Sequence, residues 1–205
     1  MKKDNKGIII AVLILGIIIV SILLPLIFMV LMVFVIPMTS KPIEYTSIDK
    51  YDYAIGDKSE YAYKQGMSEE IFPSRIKESY DVKEFKYVYY NPWDPNYLAL
   101  LEIEYNEEDY ENEMSRLKDI GIERYKGIYG AEGFSKYELV AMESDSYYGF
   151  VYALTDGDSR IIYVELIFCN YFTDIDYEEY IPKKYLPDGF NAKTDNPYRE
   201  KMMNE

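Results

Sequence analysis

The chain has 205 residues, of which 49% are hydrophobic, and carries 36 acidic against 22 basic side chains for a net charge of -14. It holds no histidine and one cysteine. That inventory excludes Ser-His-Asp and Cys-His catalysis, histidine-ligated zinc, an intrachain disulfide and a Cys-x-x-Cys redox pair.

The averages hide two unlike parts. From Ile8 to Ile36 there is no charged residue, and only Gly16, Ser21 and Pro25 fall outside the apolar class. A run of this length exceeds the roughly 18 residues that mark a bilayer span. Residues 8-36 therefore predict one transmembrane helix, with the lipid bilayer as its partner. The basic leader 1-7, with Lys2, Lys3 and Lys6 against Asp4, predicts a cytoplasmic N-terminus and an extracytoplasmic remainder. A cleaved signal peptide has a shorter apolar region and a small-residue cleavage site. Here the run closes on Val35-Ile36-Pro37-Met38-Thr39-Ser40 with no Ala-x-Ala pattern, which favours an uncleaved signal-anchor. With no Asp, Glu, Lys or Arg inside it, the span predicts a tether and not an ion path.

Residues 37-65 are polar, tyrosine-bearing and weakly periodic, and predict a juxtamembrane stalk. The domain proper is expected over 66-187. Ser68-Glu69-Glu70 before Ile71, Phe72 and Ile76 suggests a short leading helix limited by Pro73. In Glu84 to Tyr90 the rings at 85, 87 and 89 share one strand face. Asn91-Pro92-Trp93-Asp94-Pro95-Asn96 interrupts the run, and Tyr97 to Tyr105 resumes it with the odd positions buried and the glutamates in solvent. Asn106, the acids at 107 to 109, Lys118 and Gly121 bracket a helix whose apolar stripe is Tyr110, Met114 and Leu117. Three further strands follow, at 137-143, 147-154 and 160-169, the last two joined by the hairpin signal Asp156-Gly157.

The fold class is therefore α+β: one transmembrane helix, then an antiparallel sheet of about five strands with one main helix covering one side. Residues 188-205 look like a surface tail.

Chemical candidates are few. Cys169 closes an apolar strand and is expected as a buried thiol. Glu102, Glu104 and Glu165 supply carboxylates for a hydrolytic pair, although solvated strand glutamates explain them as well. Asp174, Asp176 and Glu178 alternate in a way that suits a hard cation such as calcium, without the spacing of an EF-hand. No other cofactor is implied. The glycines from 121 to 133 lack a phosphate-cradle ending, and the negative charge disfavours nucleic acid.

Aromatic candidates are Trp93 with Tyr90 and Tyr97, and a second patch at Tyr147 and Tyr148. Exposed, they could stack on a glycan or anchor a protein; folded back, Trp93 would cap a sheet edge. Setting aside Lys2, Lys3, Lys6 and Asp4 leaves 19 basic and 35 acidic residues, a net of -16, which favours a cationic partner surface. The expected function is non-catalytic binding of an envelope protein, with a carbohydrate-binding or carboxylate-dependent glycan hydrolase domain as the alternative.

Overall fold

The computed structural model describes residues 6-35, 40-55 and 70-205, in two compact units divided between Lys41 and Pro42. The expected leading helix at Ser68-Glu69, most of the stalk's second half and the first five residues of the leader lie outside the described residues.

The first unit is helix α1, Lys6–Val30, continued by a π-helical turn at Leu31–Val35. Its apolar stretch Ile9–Val35 has 27 residues and none is buried. At 1.5 Å per residue this is about 40 Å of helix, enough to cross a hydrocarbon core of about 30 Å. Pro25 withdraws the amide that the Ser21 carbonyl would accept, and the Ser21 hydroxyl donates back to the Ile18 carbonyl at 2.8 Å.

The second unit is a six-stranded antiparallel sheet in the order β1-β2-β3-β6-β5-β4. The strands are β1 (Ile43–Tyr45), β2 (Asp81–Tyr90), β3 (Asn96–Glu104), β4 (Glu138–Asp145), β5 (Gly149–Thr155) and β6 (Arg160–Ile167). β1 was not expected. It comes from the segment read as a stalk and pairs with the outer edge of β2, Ile43 opposite Tyr89. A short helix α2 (Tyr51–Ala54) then buries Tyr51 and Ala54. The described part of the stalk is thus built into the domain. Residues 70-80 carry no helix; Ile71 and Phe72 simply plug the core.

Helix α3, Glu107–Ile120, forms as its caps predict. The Asn106 side chain accepts from the Asp109 amide at 2.9 Å, and Gly121 terminates it at φ 84°. Leu117 is buried, and Tyr110 and Met114 pack beside it against Phe85, Tyr87, Leu101, Ile103 and Tyr163. This face is the expected helical side of the sheet.

The opposite face is equally buried. In β6 only Glu165 and the terminal Arg160 are polar or charged apart from Tyr163, so both faces need cover. Val88, Leu98, Leu100, Tyr152, Leu154, Ile162, Val164 and Leu166 lie under the segments 125-134 and 175-192. Residues 188-205, expected as a surface tail, belong to this cover: Ala192 and Asn196 are fully buried, and helix α4 (Pro197–Asn204) starts on the Asn196 cap. Irregular chain laid over a sheet brings peptide groups that need partners. Tyrosines supply them. Tyr152 donates to the Tyr185 carbonyl at 2.8 Å, Tyr129 donates to the Tyr147 carbonyl at 2.9 Å, and Tyr177 Oη accepts from the Ala192 amide at 3.5 Å. The tyrosines of this cover are therefore a structural solution: Tyr129, Tyr152 and Tyr177 fill core with the ring and meet backbone with the hydroxyl.

Two glycines close this layer. Gly130 and Gly189 hold φ of +75° and +78°, and a Cβ on either would strike the carbonyl of the other. Substitution at either site would push the cover off the sheet.

Candidate functional site at the aromatic end of the sheet

The register gathers one end of the sheet. Tyr97 of β3 lies opposite Ile167 of β6, which lies opposite Gly149 of β5. The 91-95 loop, the 146-148 turn and the chain leaving β6 therefore emerge together. All five aromatic candidates are at this end. Trp93 is 54% exposed and does not fold back over the sheet edge. Pro92 is buried in its place, and the buried Asn96 fixes the loop, donating to the Asp94 carbonyl at 2.9 Å while its Oδ1 accepts from the Asp174 amide at 3.1 Å. Tyr97 is buried against Tyr89, ring centroids 5.3 Å apart, and Tyr90 is half-buried at the margin of the second core. These two pack against opposite faces of the sheet, and Trp93 is the exposed ring of the three.

The second patch joins the first through Asn170. Its side-chain amide donates to Asp94 Oδ2, and its carbonyl Oδ1 accepts from the Tyr147 hydroxyl at 2.7 Å. Tyr147 meets Tyr148 and Tyr171 edge-on, each at 4.9 Å. Asn170 and Tyr171 are consecutive residues in the left-handed region, φ 59° and 62°, a conformation costing on the order of 1 kcal/mol per non-glycine residue. Side chains from the C-terminal cover hold them there: Asn196 donates to the Tyr171 carbonyl at 3.0 Å and Arg199 Nε donates to the Asn170 carbonyl at 3.3 Å. Sequence reasoning missed Asn96, Asn170 and Asn196. The one local signal was the run Phe168-Cys169-Asn170-Tyr171-Phe172, where asparagine is a residue that tolerates left-handed backbone.

Gly149 anchors the turn from below. At φ +115° its missing Cβ leaves room for the Leu166 carbonyl. Asp145 Oδ1 accepts from the amides of Tyr147 and Tyr148 at 2.7 and 2.9 Å and so sets the pose of both rings.

Two acidic groups and the thiol share this end. Partial burial raises the Asp174 carboxyl, the Asn96 hydrogen bond lowers it, and the Asp94 charge adds to the rise. Cys169 is 8% exposed, and burial, followed by the charges of Asp94 and Asp174, pushes its thiol up to about 11. A buried, protonated thiol is a poor nucleophile. Alkylation by iodoacetamide at pH 8 is expected to run on the order of 100-fold slower on folded than on urea-unfolded chain. A native rate equal to the unfolded one would show an open, activated cysteine.

The other chemical candidates do not converge. Asp176 caps a 3-10 turn, accepting from the Glu178 amide at 3.2 Å, and Glu178 pairs with Lys193 at 3.4 Å. Asp174 turns instead toward Asn96 and Asp94. Among the described residues no group of three or more His, Cys, Asp and Glu is placed to hold a metal ion.

Of the carboxylates read as a hydrolytic pair, Glu102 and Glu104 share a face of β3, and the sheet separates both from Glu165. Glu102 lies on the Leu98–Leu100 face, and Glu165, opposite Ala99, lies on the other. Nor does Glu102 stand in solvent: it is 8% exposed, accepts from the Tyr185 hydroxyl at 2.5 Å and pairs with Arg160 at 3.1 Å. Glu104 pairs with Lys83 at 3.0 Å.

A further carboxylate, Glu113 on α3, borders a cleft of about 1020 Å³ shared with Phe72, Tyr80 and Arg116. It is held by Arg116 through two hydrogen bonds of 2.9 and 2.6 Å and by the Tyr163 hydroxyl at 2.7 Å.

No family model, curated protein or solved structure matches the chain.

Proposed function

We propose that this is a single-pass, bilayer-anchored domain that works by binding, with the basic leader in the cytoplasm, the domain outside it, and another envelope protein as its partner. The observation that carries the reading is the aromatic end: Trp93, Tyr147, Tyr148 and Tyr171 stand on short turns locked by Asn96, Asn170, Asn196 and Asp145, while Glu102 and Glu113 are each committed to an arginine and a tyrosine. Rigid aromatic groups on a pre-organised frame suit recognition, because little entropy is lost on contact. Lys2, Lys3 and Lys6 before the apolar run support the direction. The net of -16 on the remainder supports a partner presenting cations.

The test is a photo-crosslinking residue at Tyr148 in intact cells, with the same group at Asp158 on the distal hairpin as reference. One discrete protein adduct is expected at 148, weakened by raised external salt and absent at 158. Equal, diffuse labelling at both positions would reject the binding end. Protection of the domain from external protease in intact cells would reject the direction.

A further inference from the structure

Outside the leader, acids outnumber bases 35 to 19, so a lysine there has little difficulty finding a carboxylate. Lys50, Lys77, Lys83, Lys86, Lys193 and Lys201 each lie 3.8 Å or less from one. Among the described residues Lys136, Lys183 and Lys184 have none at that range, and all three line one cavity of about 470 Å³. Lys118 lacks one as well, but the cleft it borders holds Glu111 and Glu138 in place of further lysines.

The walls of the cavity are fastened to each other. The Asp188 amide donates to the Gly133 carbonyl at 2.7 Å, and the Asp188 carbonyl accepts from the Glu132 amide at 2.9 Å. These bonds tie the chain that carries Ser135 and Lys136 to the turn at 187-190. Lys183 opens the 3-10 turn Lys183–Tyr185, whose tyrosine ring is buried, and Lys184 Nζ stands 4.4 Å from the centroid of that ring. A cation over an aromatic face is held there without losing its charge. The two acids of the lining are engaged elsewhere: Glu178 pairs with Lys193 at 3.4 Å, and Asp188 Oδ1 accepts from the Ser135 hydroxyl at 3.2 Å. With Lys193 offsetting Glu178, three lysines stand against one aspartate, a formal net of +2 in a domain of -16.

We infer that this cavity binds the phosphate group of a small molecule. A phosphomonoester carries about -1.5 to -2 at neutral pH, which matches the lining; a lone carboxylate would leave half of it uncompensated. Lysine suits the task because it meets phosphate as a point charge and needs no bidentate alignment. Half-buried Phe190 and buried Leu186 and Pro187 complete the wall and offer the ligand's carbon atoms an apolar surface. The volume falls in the range of about 300 to 1,000 Å³ typical of small-molecule sites. The acidic remainder sets the upper size. Its field is screened beyond about 8 Å at physiological ionic strength, so a ligand held inside the cavity meets chiefly the lysines, whereas a long polyanion running past the rim meets acidic surface. The site shares no residue with the aromatic end and stands whether or not a protein binds there.

The probes are inorganic phosphate, glycerol 3-phosphate and glycerate, titrated calorimetrically at low salt into the full chain in nonionic micelles. Both phosphates are expected to bind, and glycerate at least about fivefold more weakly. The ratio of the two phosphate affinities tells whether the free ion or its ester is the ligand. Lys136→Gln and Lys183→Gln are each expected to weaken phosphate binding about fivefold, and Lys118→Gln to leave it unchanged. These lysines are exposed, so near-ultraviolet circular dichroism should be the same for every variant.

Undiminished affinity in the triple variant Lys136→Gln, Lys183→Gln, Lys184→Gln would overturn the inference, as would the lack of a saturable signal with either phosphate. Glycerate binding as tightly as glycerol 3-phosphate would show a general anion surface in place of a phosphate site. A long-chain polyphosphate binding more tightly than either small probe would defeat the limit on size.

Discussion

Arg116→Met is expected to lower the domain's stability by about 3 kcal/mol. Glu113 is 7% exposed on the helix face that packs against the sheet. Its carboxylate is tolerable there because Arg116 supplies two hydrogen bonds and Tyr163 a third. Arg116 also donates to the carbonyls of Glu70 and Ile71, so it pins the stretch that delivers Phe72 to the core. Methionine keeps the apolar stem and removes every one of these donors except the tyrosine's. The cost is the buried charge left behind, which an exposed pair such as Lys50 with Asp49 does not incur.

Glu113→Gln should cost about 1 kcal/mol, because an amide oxygen can still accept from Tyr163. Glu113→Leu combined with Arg116→Met should recover most of the loss, since an apolar pair of similar volume removes the charge as well as its partner. Urea unfolding of the full chain in detergent micelles, followed by near-ultraviolet circular dichroism, measures all three. A loss below about 0.5 kcal/mol for Arg116→Met would mean that water already solvates Glu113.

The same group shows where sequence reading stops. The α3 boundaries were legible because caps are local: Asn106, the early acids and Gly121 act within one turn. The two hairpins were legible because alternation and turn residues are also local. The solvent position assigned to Glu102 failed because its partner is distant. Glu102 is 83 residues from Tyr185, and Tyr163 is 50 from Glu113.

Strand β1 was illegible for a related reason. Its three residues carry no alternation of their own; the free edge of β2 imposes the conformation. The aromatic residues of the candidate site could be named from their loops, but their meeting could not. That meeting follows from the order β3-β6-β5, which brings the Trp93 loop and the Tyr147 turn to one end through Asn170. Trp93 stayed outside because Pro92 took the buried place and Asn96 held the loop around it.

Alkali is expected to unfold the domain in one steep step above pH 10. Burial holds the phenols of Tyr105, Tyr129, Tyr152 and Tyr163 well above their ordinary value of 10.0, and for Tyr105 and Tyr163 the Glu113 charge adds to the rise. These are acids whose folded pKa is raised, so the native state keeps protons that the unfolded chain releases. Stability is fully present below pH 10 and falls as pH rises beyond it, because the unfolded state then binds fewer protons than the native one.

Each such group contributes about 1.4 kcal/mol per pH unit, so four acting together give between about 5 and 6. A domain of ordinary stability, about 5 to 15 kcal/mol, is exhausted within about one to three units. Phenolate absorbance and near-ultraviolet ellipticity should therefore change together, and Tyr152→Phe should flatten the slope by about one group's share. Gradual phenolate formation with ellipticity intact to high pH would show that hydroxide reaches these rings in the folded state. The hydroxyl-to-backbone contacts that fasten the irregular cover to the sheet would then not be closed.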